Sequence, residues 1–206
     1  MKRCFIFSAG TFYGLYERPQ EDDFVIAADA GYLTAERLHI QPQLIVGDFD
    51  SAPKPEGTVP CEVYPIEKDD TDTMAAIRRG LAMGCTEFFL YGATGGSRMD
   101  HTLANIQALA FLKNHGAQGY LYDHKMVYTA ICNEHFQIPH IVPNGTVSVF
   151  CMTDVAAVSN TGLKYPLNNA RLRQDYPVGV SNQIVGQSAA VSVKDGMLLV
   201  GWEIEK

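Results

Sequence analysis

The chain is poor in the features that mark membrane-spanning and disulfide-built proteins. None of its apolar runs approaches the roughly 20 residues that a transmembrane helix needs. Its cysteines number five, are widely spaced and never form Cys-x-x-Cys, which argues against a disulfide framework and against a zinc site. The apolar stretch Cys4–Phe7 is shorter than a signal peptide's apolar region of about 7–15 residues. We therefore expect a cytoplasmic chain with buried, reduced thiols.

Basic residues are also scarce. The 206-residue chain has 16 Lys and Arg against 23 Asp and Glu, a formal net charge of −7. Nucleic-acid binding through a basic surface is disfavoured, because that mode needs clustered positive charge. An acidic protein can still bind a polyphosphate if a cation bridges the two partners. With 47% hydrophobic and 19% charged residues, the chain can form a packed core in one large or two small domains.

The first part of the chain, residues 1–125, alternates short apolar runs with helical patterns. Most runs are continuous rather than alternating, which is typical of strands buried on both faces. The strand candidates are Cys4–Phe7, Phe24–Ala28, Leu44–Val46, Glu62–Pro65, Glu87–Tyr91 and Gly119–Tyr122. The helix candidates are Tyr32–His39, Thr73–Met83 and His101–Lys113. The alternation predicts a mostly parallel, Rossmann-like α/β domain.

The second part, residues 126–206, shows short strand patterns and no convincing helix. The strand candidates are Met126–Ile131, Phe136–Ile138, Thr146–Met152, Ala156–Ser159, Val178–Val185, Ala189–Val193 and Met197–Ile204. Turn formers such as Asn160-Thr161-Gly162 separate many of them, and Asp195-Gly196 predicts a β-hairpin. Regular short strands indicate a small sandwich or barrel, and we predict a β-sandwich. The predicted fold class is thus α/β plus all-β.

Aspartates follow several strands of the predicted parallel sheet. Asp29 comes after one strand, and Asp48 and Asp50 come after the next. Ligands of open α/β sheets bind beyond the carboxyl ends of the strands. Two carboxylates spaced by one residue project to the same side of an extended segment, which suits Mg²⁺. The alternative interpretation of Asp48-Phe49-Asp50-Ser51 is a capped turn.

A second acidic cluster, Lys68-Asp69-Asp70-Thr71-Asp72-Thr73, opens a predicted helix. Part of it is explained by helix capping, because Asp70 or Thr71 can be the N-cap and acids in the first turn suit the helix dipole. One helix start rarely needs three aspartates, however. The excess is easier to explain if Asp72 faces a metal and Lys68 faces a phosphate.

A glycine-rich loop follows the strand Glu87–Tyr91. In Gly92-Ala93-Thr94-Gly95-Gly96, free backbone N–H groups can cradle an anion, and Arg98 can pair with a phosphate. The alternative is a tight strand-to-helix turn. The loop is neither a Walker A motif nor a Gly-x-Gly-x-x-Gly fingerprint, so nucleotide binding here would use another scheme.

Taken together, these motifs resemble thiamine pyrophosphokinase. The N-terminal motifs that carry the resemblance are Ala28-Asp29-Ala30-Gly31, Pro42-x-Leu44-Ile45-Val46-Gly47-Asp48-Phe49-Asp50-Ser51, Lys68-Asp69-Asp70-Thr71-Asp72-Thr73 and Gly92-Ala93-Thr94-Gly95-Gly96-x-Arg98-x-Asp100-His101. The C-terminal ones are Thr161-Gly162-Leu163-Lys164-Tyr165-Pro166-Leu167 and Gly179-Val180-Ser181-Asn182. They occur in the family's order over nearly the whole chain.

The resemblance implies an enzyme and assigns roles to its residues. The hydroxyl of thiamine would attack the β-phosphorus of ATP, and AMP would leave. The implied Mg²⁺ ligands are Asp48, Asp50 and Asp72, with Asp100 as a further catalytic residue. The implied nucleotide and phosphate contacts are Asp29, Lys68, Thr71, Thr94, Gly95 and Arg98. The implied thiamine contacts are Tyr165, Ser181 and Asn182. A homodimer with thiamine near the subunit interface is also implied.

Two departures and several alternatives accompany the resemblance. The family often has Ala-Asp-Gly-Gly where this chain has Ala28-Asp29-Ala30-Gly31, and Ser97 shifts the basic residue to Arg98. Tyr165 is either a stacking partner of thiamine or a core residue. A pyrophosphokinase for another alcohol, such as a hydroxymethylpterin, is one competing hypothesis. A sensor of thiamine or nucleotide without turnover is a second, and a non-enzymatic interaction module is a third.

Overall fold

The computed structural model describes residues 1–49, 58–65, 67 and 69–204. The chain divides into two compact units, Met1–His124 and Lys125–Lys206, and each is described by itself. Two residues of the predicted site, Asp50 and Lys68, lie outside the described residues. No helix in the described ranges is long and apolar enough to cross a bilayer. All five cysteines are free thiols.

The first unit is a parallel sheet with helices. Its strands are β1 (Arg3–Phe7), β2 (Phe24–Ala28), β3 (Leu44–Gly47), β4 (Cys61–Val63), β5 (Glu87–Tyr91) and β6 (Gln118–Tyr122). Its helices are α1 (Gly31–Arg37), α2 (Asp72–Ala82) and α3 (Met99–Asn114). The strands are ordered β6-β5-β1-β2-β3-β4 and pair in parallel. The predicted Rossmann-like α/β domain is confirmed.

The strand order creates a switch point in the middle of the sheet. From β1 the chain adds β2, β3 and β4 on one side, and it then returns to β5 on the other side of β1. The connection after β1 therefore leads to one side of the sheet, and the connection after β5 leads to the other. Such a point at the carboxyl ends of parallel strands is where open α/β sheets bind their ligands.

Aromatic side chains cover one face of this sheet. Phe5 and Phe89 are paired in register on β1 and β5, and their rings stack with centroids 4.5 Å apart. Tyr91 and Tyr122 stack in the same way at 4.6 Å. Residues two apart on a strand share a face, so the continuous apolar runs place one aromatic set here and fill the opposite face with residues such as Ile6, which is fully buried.

The second unit is built from antiparallel strands. They are β7 (Met126–Cys132), β8 (His135–Gln137), β9 (Thr146–Cys151), β10 (Val155–Thr161), β11 (Ala170–Arg173), β12 (Asn182–Gln183), β13 (Ala190–Lys194) and β14 (Met197–Glu203). One layer runs β12-β9-β14-β7 and the other runs β11-β10-β13-β8. Phe136 of one layer packs on Trp202 of the other, with ring centroids 5.5 Å apart. The predicted all-β sandwich is confirmed.

Three sequence-based expectations for this unit are wrong. Asp195-Gly196 does not close a hairpin, because β13 pairs with β10 and β8 while β14 pairs with β7 and β9. The turn instead carries the chain from one layer to the other, with Asp195 at φ 54°. The strand expected at Val178–Val185 shrinks to β12, and β11 was not predicted.

An ion pair lies at the edge of the first unit's aromatic face. Arg3 donates from Nε to Oδ1 of Asp23 at 2.9 Å and also bonds Glu17. Its guanidinium lies over the rings of Phe5 and Phe89, 5.3 and 5.5 Å from their centroids. The Arg3 hydrogen bond lowers the pKa of Asp23, whose residue is only 8% exposed. The ionised carboxylate of Asp23 therefore stabilises the fold.

Replacing Asp23 by Asn should destabilise the chain in a pH-dependent way. We expect the free energy of unfolding at pH 7 to fall by about 2 kcal/mol, the size of a hydrogen bond to a charged group. A carboxyl whose pKa is lowered by folding stabilises above its unfolded pKa of about 4 and loses that contribution as pH falls through the folded pKa. The difference between Asp23→Asn and the parent chain in urea titrations should therefore shrink below about pH 4.

The matched control is Asp175→Asn. Asp175 pairs with Arg173 at 2.8 Å, but both side chains are more than 60% exposed, so we expect no measurable change in stability. An Asp23→Asn variant as stable as Asp175→Asn at pH 7 would contradict a stabilising role for the Arg3–Asp23 pair.

Candidate active site at the carboxyl edge of the parallel sheet

The loops after β1 and β5 are joined along their backbones. Gly10 N donates to Gly92 O at 2.7 Å, and Thr11 N donates to Thr94 O at 2.9 Å. Gly96 N donates in turn to the hydroxyl of Thr11 at 3.0 Å. The sheet pairing of β1 with β5 thus continues beyond the strands, and it fixes the glycine-rich loop at the switch point.

This pairing requires glycine at particular positions. A Cβ on Gly10 would lie 2.5 Å from Gly92 O, and a Cβ on Gly92 would lie 2.4 Å from Ser8 O. Gly92, Gly95 and Gly96 also have φ values of +63°, +70° and +75°, which side chains disfavour. The glycine-rich run is therefore a conformational requirement of two loops in backbone contact, and it leaves Gly95 and Gly96 exposed at the edge.

A buried hydroxyl pair fastens the start of α2 to the end of β1. The hydroxyls of Ser8 and Thr73 lie 2.9 Å apart, and the two residues are 5% and 7% exposed. Thr71 is the N-cap of α2, where its hydroxyl accepts from Met74 N at 3.2 Å. Asp72, the first residue of α2, is thereby held at the same edge as the glycine-rich loop. Of the two predicted caps, the structure uses Thr71.

Asp29 lies against the end of β3, which Asp48 follows. Asp29 N donates to Val46 O at 2.8 Å, and a Cβ on Gly47 would lie 3.1 Å from Asp29 Cα. Gly47 thus lets the two strand ends approach, and half-buried Asp48 follows it. Asp29 is 6% exposed, and its Oδ1 is a buried oxygen with no hydrogen-bond partner among the described residues.

The structure explains why Ala30 is tolerated where the family often has glycine. Ala30 has φ −60° and ψ −4°, which any residue adopts, and the left-handed conformation falls on Asp29 at φ 48°. The glycine that cannot change is Gly31, because its Cβ would lie 1.8 Å from Phe7 O. That contact seats the first turn of α1 directly on the end of β1.

The remaining predicted nucleotide contacts are engaged with neighbours. Thr94 donates from its hydroxyl to Asp123 Oδ1 at 2.8 Å, and Arg98 pairs with Asp100 at 2.6 Å. Arg98 and Asp100 are both more than 60% exposed. Their hydrogen bond lowers the pKa of Asp100 to about 2. Arg98 is also the N-cap of α3 and makes no side-chain cap bond.

The donor set at this edge fits a hard cation. Among the described residues no three His, Cys, Asp or Glu side chains are grouped to hold a metal, and the third predicted ligand, Asp50, lies outside them. Mg²⁺ needs less than that, since it takes one or two carboxylates together with water and substrate phosphates. Asp48 and Asp72 supply such carboxylates, and the orphaned oxygen of Asp29 is a buried acceptor that a bound group would satisfy.

Of the predicted thiamine contacts in the second unit, Tyr165 and Asn182 are hydrogen-bonded to each other, and Ser181 is bonded to a different residue. Tyr165 is 60% exposed, so it is not a core residue. Asn182 uses its side-chain amide on the Tyr165 backbone, accepting from Tyr165 N at 3.0 Å and donating to Tyr165 O at 2.8 Å. Ser181 is exposed, has φ 60° and donates its N–H to the hydroxyl of Ser148 at 3.0 Å.

Sequence reasoning missed four residues of the carboxyl edge, namely Ser8, Thr11, Thr73 and Asp123. Each of them holds a segment that the sequence had singled out. Ser8 and Thr73 hold the start of α2, Thr11 bonds to the glycine-rich loop, and Asp123 bonds to Thr94. The available signal was position, since Ser8 and Asp123 directly follow strands. Their importance depends on β1 lying between β5 and β2, which no local pattern reveals.

The parallel sheet of the first unit, with polar groups at its switch point, is typical of α/β enzymes. A family model described as "Thiamin pyrophosphokinase, catalytic domain" matches residues 17–121. A second, described as "Thiamin pyrophosphokinase, vitamin B1 binding domain", matches residues 134–198. The chain belongs to the thiamin pyrophosphokinase family.

Relatives from several bacteria agree with this assignment. The chain is 28% identical over 182 residues to thiamine pyrophosphokinase of Bacillus subtilis, covering 85% of each sequence. It is similar to the crystal structure of a Bacillus subtilis thiamine pyrophosphokinase, with a TM-score of 0.89 and 24% identity over 100% of both chains. An Enterococcus faecalis family protein matches with a TM-score of 0.84 and 27% identity, again over 100% of both. The predicted enzyme, a thiamine pyrophosphokinase, is confirmed, and nothing supports the pterin, sensor or interaction-module alternatives.

The Arg98–Asp100 pair yields a direct test of the site's electrostatics. Carboxyl-carbon NMR titration should give Asp100 a pKa of about 2, so that this group stays ionised throughout the neutral range. In Arg98→Gln the main cause of the shift is removed, and the pKa should rise toward the ordinary value of about 4. Arg78→Gln, which removes the partner of Asp70, should leave the Asp100 titration unchanged. An unchanged Asp100 pKa in Arg98→Gln would show that Arg98 does not hold this carboxylate.

Proposed function

We propose that this chain transfers the pyrophosphoryl group of ATP to the hydroxyl of thiamine, with Mg²⁺, giving thiamine diphosphate and AMP. The observation that carries the proposal is the pair of loops joined at the β1–β5 switch point. In the reaction the thiamine oxygen bonds to the β-phosphorus, the bond from that phosphorus to the oxygen bridging the α-phosphate breaks, and the hydroxyl proton is released. Such transfers need positioning and charge neutralisation more than covalent chemistry.

The carboxylates at the edge have the role of binding the metal. Asp48 and Asp72, with Asp50, would hold Mg²⁺, and the bound ion supplies neutralisation of the polyphosphate charge. Support comes from the attachment of α2 to β1 through Ser8 and Thr73, which fixes Asp72 before any ligand arrives. The Oδ1 of Asp29 has no hydrogen-bond partner among the described residues, and we assign it to the nucleotide or to the metal's water shell.

The phosphate chain is assigned to the loop after β5 and the start of α3. The start of α3, which has no side-chain cap bond, follows exposed Gly95 and favours an anion there. The guanidinium of Arg98 is paired with Asp100, and it can pair with a phosphate instead because Arg98 and Asp100 are both exposed. The proposed nucleotide and phosphate contacts are Asp29, Lys68, Thr71, Thr94, Gly95 and Arg98. Thr94 acts through its backbone, since its hydroxyl is committed to Asp123.

The second unit is assigned to thiamine, with Tyr165, Ser181 and Asn182 as its proposed contacts. Tyr165 presents an exposed ring to solvent, and an aromatic face attracts a cationic ligand such as the thiazolium of thiamine. Residues 1–125 would then form the nucleotide-binding catalytic domain and residues 126–206 the thiamine-binding domain.

We further propose a cytoplasmic homodimer with thiamine near the subunit interface. The support is a set of exposed apolar side chains in the second unit, namely Tyr176, Val178, Val180 and Val185. Exposed apolar groups gathered in one stretch of chain are typical of interaction sites. The free cysteines fit a reducing compartment. Sedimentation equilibrium of the full chain measures the association directly.

The reaction is tested by incubating the chain with ATP, Mg²⁺ and thiamine. We expect AMP and thiamine diphosphate in equal amounts. In Asp48→Asn and Asp72→Asn, kcat should fall by about 100-fold or more, the usual effect of removing a preorganised electrostatic group, while thermal unfolding stays near that of the parent chain. Asp50→Asn should behave in the same way.

The control for these variants is Asp175→Asn, an exposed aspartate of the second unit, which should keep full activity. Formation of ADP instead of AMP, or turnover only after a hydroxymethylpterin is added, would reject the proposed reaction. Full activity in Asp72→Asn would remove that residue from the metal site.

A further inference from the structure

The second unit displays an aromatic ring whose backbone is unusually well held. Tyr165 lies in the connection between β10 and β11, and it is 60% exposed. An exposed tyrosine in an irregular connection ordinarily samples many positions, because little packing restrains it. Here the backbone of Tyr165 is restrained, because other side chains form hydrogen bonds to its N–H and C=O.

Two asparagine side chains supply those hydrogen bonds. Asn182 accepts from Tyr165 N at 3.0 Å and from Gln183 N at 2.9 Å, and it donates to Tyr165 O at 2.8 Å. Asn160 donates to the same carbonyl at 3.2 Å and accepts from Leu167 N at 3.2 Å. An amide oxygen has two acceptor positions, so the Oδ1 of Asn182 is fully used within the protein.

The neighbouring backbone strengthens this arrangement. Leu163 and Ile184 form an antiparallel bridge, and Lys164 N donates to the carbonyl of Gln183 at 2.8 Å. Gly162 begins the segment at φ +71°, where a Cβ would lie 1.9 Å from Ser188 O. The chain leading into Tyr165 is therefore held on both sides in addition to the asparagine bonds. A side chain whose backbone is fixed loses less entropy when it binds a ligand.

The ring of Tyr165 already lies close to a cation within the protein. The ammonium of Lys164 lies 5.7 Å from the centroid of Tyr165, within the range of a cation–π contact. The thiazolium ring of thiamine is a planar cation of the kind that such a ring attracts, whereas the Oδ1 of Asn182 has no remaining acceptor position and its Nδ2 already donates to Tyr165 O.

We propose that Asn182 is a positioning residue that acts on thiamine through Tyr165, and that Asn160, which the sequence placed only in a turn, shares this role. The inference rests on the proposed function and revises one assignment within it. Asn182 supports the surface on which thiamine binds, and Tyr165 provides that surface.

A double-mutant cycle tests the proposal. Asn182→Ala should raise both the KM and the calorimetric Kd for thiamine by about tenfold, with kcat changed much less, and Tyr165→Ala should raise them at least as far. If Asn182 acts through Tyr165, adding Asn182→Ala to Tyr165→Ala should have less than about a twofold further effect, because coupled residues are not additive. A full tenfold effect in the Tyr165→Ala background would show a direct contact and overturn the proposal.

Hydrogen exchange of the Tyr165 amide gives a second readout that needs neither substrate nor activity. In the ligand-free full chain, Asn182→Ala should speed this exchange by at least tenfold, and Asn160→Ala should speed it less, because its bond to the Tyr165 carbonyl is longer. Gln187→Ala, a change to an exposed amide side chain of the same unit, should leave it unaltered. Unchanged exchange in Asn182→Ala would overturn the proposal.

The two readouts separate this inference from the proposed function. If the parent chain fails to convert thiamine, the proposed reaction is rejected, and with it the ligand named here. If the parent chain converts thiamine but Asn182→Ala alters neither the thiamine KM nor the Tyr165 exchange, the positioning role alone is rejected.

Discussion

The site depends on backbone lying against backbone at the carboxyl ends of β1 and β5. Gly10 and Gly92 let the two following loops hydrogen-bond at 2.7 Å, and Gly31 brings α1 to within contact of the Phe7 carbonyl. Side chains at these positions would force the elements apart. Because the loops are fixed by main-chain bonds, a ligand that binds at this edge would meet a backbone that needs little reorganisation.

Charge complements this geometry. The chain is acidic overall, with a net charge of −7, and several aspartates follow the strands of its parallel sheet. A polyphosphate is repelled by such an edge unless a divalent cation joins them, and a cationic acceptor such as thiamine is attracted to it. Arg98 and Asp100 balance each other at the surface in the ligand-free state. A divalent cation would reconcile such an acidic edge with a polyanionic substrate.

Local patterns predicted most of the fold and singled out the aspartates that follow its parallel strands. The strands β2 and β5 have the predicted bounds, because apolar runs between turn formers leave few alternatives. Strand pairing was harder to predict from the sequence. Asp195-Gly196 specifies a tight turn, but the turn does not determine whether the chain returns to the same layer or crosses to the other. That depends on which strands β13 and β14 pair with. For the same reason Ser8 and Thr11 were missed, since their roles follow from strand order.

Asn182 illustrates a further limit of motif reading. A motif shared with a family indicates that a residue matters to the site, but it does not distinguish a residue that touches the ligand from one that supports its neighbour. The hydrogen bonds between the Asn182 side chain and the Tyr165 backbone are the basis on which we propose the supporting role. Similarly, the hydroxyl of Thr94 is bound to Asp123, so this predicted phosphate contact is reduced to its backbone.

The most direct test of the central claim is a crystal structure of the full chain with Mg²⁺ and a non-hydrolysable ATP analogue. Our account predicts that the phosphates lie against the backbone N–H groups of the loop after β5. It also predicts a Mg²⁺ ion about 2.1 Å from carboxylate oxygens of Asp48 or Asp72. Phosphates bound away from the switch point between β1 and β5, or a metal held by neither aspartate, would contradict it.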